Sequence, residues 1–249
     1  MNNFLLIIPK DLNRLIGKAM HAYSMLTDGD RILVAVSGGV DSLVLAAILA
    51  LWRNKAPIDY ELVAVHLDMG FPDSNYKLIA PQLAKISLNL EIEHTSFGSD
   101  VLALADKQNA CFACPRNRRT RLFSIAREKN CNKLAFGHHK DDIIETFFLN
   151  VLYGGNISTM VPSQVLFSGN LTIIRPLAFL EKKQVRDLAV QFDLQPTVNP
   201  CPLEGETKRD TVRQLLEPLY QKDSHIKGNI FSALANVRTE YLLKKTKKK

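Results

Sequence analysis

The chain has 249 residues, 46% of them hydrophobic and 23% charged, a globular composition that excludes wholesale disorder. No run approaches the roughly 20 apolar residues of a membrane span, and the start MNNFLLIIPKDLNR has neither a basic n-region nor a small-residue cleavage site, so a cytoplasmic protein without a signal peptide is expected. The net charge is +7, but five of those charges sit in the terminal KKTKKK and +2 remains without them, so overall charge argues only weakly for a nucleic-acid partner.

Apolar strand-like runs alternate with longer amphipathic segments. Residues 31–36 read as a buried strand, 41–52 as a helix, 61–67 and 91–97 as strands, and 115–129 as an Arg-rich helix. A strand follows at 133–137, a helix at 141–152 and a strand at 171–175. This alternation predicts an α/β fold built on a doubly wound parallel sheet, with the chemistry just after residues 36, 67, 97 and 137, beyond the carboxyl ends of the strands. After Pro176 the pattern turns helical, with helices expected at 181–192, 207–221 and 227–243 and a Pro-rich loop over 195–206. The expected organisation is a helical lead-in (1–26), the sheet domain (27–180), a C-terminal helical extension carrying Cys201 (181–243) and a lysine tail (244–249).

Ser37-Gly38-Gly39-Val40-Asp41-Ser42 directly follows the first strand and opens a helix. Adjacent glycines let backbone approach an anion, the helix start presents unpaired N–H groups, and Ser37 and Ser42 add hydroxyls. A plain capped turn would use the same residue types. The whole string, however, resembles the SGGxDS signature of the PP-loop ATP pyrophosphatases, whose fold is the adenine nucleotide alpha hydrolase-like sheet. That resemblance implies cleavage of ATP between its α- and β-phosphates, with Asp41 as a partner for Mg²⁺. It also implies that the run Val65 to Gly70, with His66 and Asp68, frames adenine and ribose. The run Gly137-His138-His139-Lys140-Asp141-Asp142 matches the second acidic signature of that superfamily. A lone strand histidine such as His66 is ordinarily structural. Adjacent His138 and His139 must point different ways, so at most one of them need be functional.

Four cysteines are too few for a disulfide framework in a chain of this length. Cys111 and Cys114 form a Cys-x-x-Cys pair ahead of Pro115, a proline suited to the first turn of a helix, where nearby arginines and the helix start would favour thiolates. Cys201 lies far away between Pro200 and Pro202, and Cys131 reads as core. Zinc, a redox or persulfide-carrying dithiol, and an iron–sulfur cluster on three thiols all remain open on spacing alone.

The run from Cys111 to Gly155, the segments 173–183 (IIRPLAFLEKK) and 199–202 (NPCP), and the stretch 231–237 resemble the tRNA 2-thiocytidine synthetase family, a likeness that covers about residues 15–243. The family implies thiolation of cytidine 32 of tRNA with ATP, Mg²⁺ and a [4Fe-4S] cluster, in a homodimer. A sulfide or a cysteine desulfurase persulfide is the implied sulfur donor. Cys111, Cys114 and Cys201 fall on the cluster ligands, Ser37 to Ser42 on the phosphate loop, and Asp141 and Asp142 at the reacting centre. The chain departs from the family pattern at Val40, where a lysine is usual, and at Glu204, where a second cysteine is common.

Arg116, Arg118, Arg119 and Arg121 crowd the helix after the cysteines. Arg118, four residues beyond Cys114 and on the same helical face, is the expected catalytic or cluster-facing cation. Lys182, Lys183 and Arg186 form a second basic patch, expected to meet the tRNA backbone. Two rival readings are another PP-loop sulfurtransferase, acting on uridine or a small molecule, and a non-enzymatic iron–sulfur RNA-binding protein.

Overall fold

The computed structural model describes residues 6–71, 76–102, 107–198, 201 and 207–243, and the side chains of 101–113 lie outside that description. The elements are α1 (Lys10–Ala22), β1 (Asp30–Ala35), α2 (Val40–Arg53), β2 (Tyr60–Asp68), α3 (Ile79–Ala84), β3 (Leu90–His94), α4 (Phe97–Leu102), α5 (Lys107–Glu128), β4 (Lys133–Ala135), α6 (Lys140–Gly154), β5 (Ser163–Leu166), β6 (Leu171–Ile174), α7 (Lys182–Gln191), α8 (Lys208–Lys222) and α9 (Ile226–Ala233).

Six strands form one sheet in the order β3-β2-β1-β4-β6-β5. Every pairing is parallel except that of β5 with β6, which run antiparallel at the edge. β1 explains why helices cover both faces. Its side chains alternate. Ile32 and Val34 join the core with α1, α2 and α7, and Leu33 and Ala35 join Leu122, Ile125 and Ala126 of α5 on the other face. α2 is buried along every residue from Ser42 to Ala50, as expected of a helix that is apolar nearly all round. The doubly wound α/β expectation is therefore met, with one antiparallel strand added. Because β1 lies between β2 and β4, the direction in which successive strands are added reverses there, and the loops after β1 and β4 border the crevice where such sheets hold ligands.

The described residues fall into two compact units, one within 1–142 and 161–205, the other within 143–160 and 206–249. The second has its own small core of Ile144, Val212 and Leu216, flanked by Phe148, Leu149, Tyr220 and Phe231. Within it the buried Glu145 carboxylate accepts from Arg213 Nε at 2.7 Å and from Arg209 Nη1 at 3.2 Å. Two guanidiniums on one buried acid remove the cost of an isolated charge.

Several local expectations need correction. The strand expected over 91–97 ends at His94, and Phe97 already begins α4. The helix expected from 115 begins at Lys107, so Pro115 lies inside α5 rather than in its first turn, and withholds one backbone hydrogen bond from the turn carrying the Cys-x-x-Cys pair. Cys114 and the arginines thus lie mid-helix, and the helix-start argument for their electrostatics falls away. The segment 163–166 was not anticipated as a strand, being only four residues long and without a run of apolar residues. The helix expected over 227–243 stops at Ala233, followed by a 3-10 turn over Thr239–Tyr241.

Candidate functional site

The phosphate loop leaves β1 with Val36 N–H bonded to the Val65 carbonyl and enters α2 at Gly39, which caps the helix without any side-chain acceptor. The first N–H groups of α2 are left for a ligand or solvent. Ser42, buried, ties the loop together: its Oγ donates to the Gly39 carbonyl at 2.9 Å and accepts from Ser37 N–H and from Ser37 Oγ, each at 3.1 Å. Gly38 has φ of +88°, the left-handed region that glycine takes without strain, and a Cβ there would strike Thr197 Oγ1 and Ile79. The Thr197 N–H donates to the Gly38 carbonyl at 2.9 Å, so the chain that goes on to Cys201 lies on the loop.

The second loop, after β4, meets the first through Gly137. A Cβ on Gly137 would stand 2.6 Å from the Asp41 carbonyl oxygen, which is why only glycine fits there. This contact brings four polar side chains together. His139, 2% exposed, has Nε2 3.4 Å from Asp142 Oδ2 and 3.9 Å from Asp41 Oδ1, and Nδ1 3.7 Å from Asp141 Oδ2. Its Nδ1 has no hydrogen-bond partner among the described residues. Asp142 also accepts the His139 N–H at 3.0 Å, and Asp141 accepts the Lys182 N–H at 2.8 Å, at the start of α7. Burial pushes the Asp41 carboxyl above the usual carboxylate range; the charges of His139, Lys182 and Arg186 oppose this, and that of Asp142 adds to it.

Of the two adjacent histidines, the sequence singled out His138 for the cofactor, and the structure puts His139 among the acids and turns His138 toward Arg175. The histidine at i and acid at i+3 at a helix start was the signal for His139. The patch expected to meet tRNA also divides. Lys182 and Arg186 lie within electrostatic reach of Asp41, whereas exposed Lys183 pairs with Asp187. The reach of Lys182 and Arg186 to Asp41 was not legible, because nothing in the local sequence says which loop α7 starts beside.

His66 and Asp68 end β2. His66 is buried with Nδ1 2.9 Å from the Val36 carbonyl, and burial pulls its pKa down. Asp68 accepts the Gly70 N–H at 3.1 Å and lies 3.0 Å from His94 Nδ1, shaping the turn after the strand. Beside this turn a shallow cavity of about 510 Å³ opens between Gly70, His94, Thr95, Ser96 and Arg121. Arg121 is committed to Glu93 and Glu128 and so is part of the scaffold.

Arg118 lies within electrostatic reach of both Cys114 and His66. Its side chain is only partly exposed, and the site around its guanidinium is dry enough to lower its hold on the proton, against the pull of Cys114. Cys114 and Cys201 are half-buried, Cys131 is buried core, and the side chain of Cys111 lies outside the described residues, as do Pro200 and Pro202. Among the described residues no group of three or more His, Cys, Asp or Glu side chains is placed to hold a metal ion. The donor chemistry is nevertheless selective: a Cys-x-x-Cys pair with a third cysteine suits soft metals and iron–sulfur clusters, and Asp41 with Asp142 could supply the one or two carboxylates that Mg²⁺ uses when phosphates complete its shell.

A family model of the PP-loop domain matches residues 9–220. The tRNA-cytidine(32) 2-sulfurtransferase of Syntrophotalea carbinolica is 37% identical to this chain over 239 residues, covering 94% of this chain and 92% of that protein. That of Geobacter sulfurreducens is 35% identical over 238 residues, with coverage of 94% and 92%. Among solved structures, the U34-tRNA thiolase NcsA from Methanococcus maripaludis with its [4Fe-4S] cluster superposes with a TM-score of 0.73 at 20% identity, over 94% of this chain and 80% of that one, a likeness of fold.

Proposed function

The chain belongs to the tRNA-cytidine(32) 2-sulfurtransferase family, built on the PP-loop domain, and on that premise we propose that it uses ATP to replace the C2 oxygen of cytidine 32 in tRNA with sulfur, releasing AMP and pyrophosphate. The observation that carries this reading is the meeting, at the switch point of the sheet, of the Ser37–Ser42 loop with the His139, Asp141 and Asp142 cluster.

Pyrophosphate is held by the free N–H groups at the start of α2 and the hydroxyls of Ser37 and Ser42, with Lys182 and Arg186 supplying the positive charge that Val40 does not. Asp41 and Asp142 would hold Mg²⁺, and His139 between them keeps both carboxylates aimed at one point. Asp141 fixes the start of α7, and with it Lys182. The cytidine O2 attacks the α-phosphorus and pyrophosphate leaves; sulfur delivered as sulfide then adds at C2 and AMP departs with the original oxygen, so the base undergoes no net redox change. Arg118 sits where negative charge builds beside Cys114. Cys111, Cys114 and Cys201 would hold a [4Fe-4S] cluster, which when bound supplies the sulfur-transfer chemistry. Sulfide serves as donor, or a desulfurase persulfide once an external dithiol has reduced its outer sulfur to sulfide and been oxidised to a disulfide, and the enzyme works as a homodimer in the cytoplasm.

The test is anaerobic incubation of the iron-reconstituted protein with tRNA, ATP and sulfide, followed by nucleoside mass spectrometry and AMP quantitation. Formation of 2-thiocytidine at position 32, matched by AMP and lost in Cys201→Ala, is expected. Thiolated uridine, or AMP formation with no thiolated base, would replace this reading with another PP-loop reaction.

A further inference from the structure

Arg175 is a buried charge with no counter-charge among the described residues. It follows β6, is 6% exposed, and spends its donors on neutral groups: Nε donates to His138 Nδ1 at 3.3 Å and Nη1 to the Val161 carbonyl. In this bond the His138 nitrogen acts as acceptor and brings no negative charge to Arg175. No carboxylate pairs with Arg175 among the described residues. The charge that bears on it is another cation, Arg119, which is exposed on α5 and makes no ion pair among them. Burial, with Arg119 adding to it, draws the Arg175 pKa down to about 10. Proteins pair or hydrogen-bond buried charges, so two guanidiniums brought together with no acid mark a place for a ligand anion.

Two observations say which anion. The phosphate loop already has cations of its own in Lys182 and Arg186, which act on Asp41. Arg119 stands on the surface of the helix that carries Cys114, so an anion held there arrives from solvent while attached to something that ends near the cysteines. A nucleotide within a polymer meets both demands. We propose that Arg119 and Arg175 clasp a backbone phosphodiester of the bound RNA next to the base being modified, a seat separate from that of the ATP phosphates. Such a contact sets register without reading sequence, and leaves the base free to turn inward. The proposal rests on the RNA-thiolation reading above.

Because Arg119 is exposed, its variants should keep the fold, which a thermal melt checks. The experiment measures tRNA affinity of the reconstituted protein across a series of KCl concentrations, and ATP affinity separately, for wild type, Arg119→Ala, Arg119→Glu and Arg175→Lys. Arg119→Ala should weaken tRNA binding about tenfold and lower the slope of log affinity against log salt by about one, with Arg119→Glu weaker still. Arg175→Lys keeps the charge but loses the fork, and should fall between wild type and Arg119→Ala. ATP affinity should not move in any of them. Unchanged tRNA affinity and slope in both Arg119 variants would overturn the proposal, and a loss confined to ATP would reassign the pair to the nucleotide. A wild-type protein that fails to bind tRNA would overturn the RNA reading itself, an outcome distinct from the other two.

Discussion

Asp41 shows how a single residue carries opposed demands. Its carboxyl is raised chiefly by burial, so the folded state prefers it protonated. The stability this group contributes is full below the ordinary aspartate value of 3.8 and is lost as pH climbs through the raised folded value. At neutral pH the ionised side chain is therefore a liability to folding, retained for what it holds. Asp41→Asn should raise the melting temperature at pH 7, with the gain vanishing near pH 3, while ATP-dependent AMP formation is lost. Melts at the two pH values together with an AMP assay check this; equal melts at pH 7 would mean that ligand-free Asp41 is not strained. His139 and Arg175 are likewise buried with a polar group that lacks a hydrogen-bond partner or a counter-charge among the described residues.

Elements place these residues, and here the limits of the sequence are visible. The strands β1 and β2 and the helix α2 were legible because their apolar runs are buried on both faces. The phosphate loop was legible because the whole string from Ser37 to Ser42, and not its glycine pair alone, resembles the PP-loop signature. The start of α5 was not, since a proline normally marks a first turn and only the surrounding structure keeps it mid-helix. β5 was invisible because edge strands need only one covered side. The pairing of the loops after β1 and β4 is a tertiary fact, but Gly137 was its trace: the residue is small because the Asp41 backbone passes 2.6 Å from where a Cβ would be. Gly137→Ala should push the loops apart, destabilise the protein by about 1–3 kcal/mol and reduce AMP formation more than tenfold. A variant with normal turnover would show that the loops can separate without cost to chemistry.

At the scale of the molecule, charge and tether length matter more than any single contact. Five of the seven net positive charges lie in the terminal lysines. Ending the chain after Leu243 should weaken tRNA binding at low salt and flatten its salt dependence, while thiolation at saturating tRNA stays unchanged. A fall in the saturated rate would instead give the tail a part in the reaction. Cys201 stands four residues beyond Thr197, whose N–H is fastened to the Gly38 carbonyl. A fully stretched chain of four residues reaches roughly 14 Å. The third thiol thus stands within that reach of the nucleotide loop, although it is far along the sequence from the helix that bears the other two cysteines.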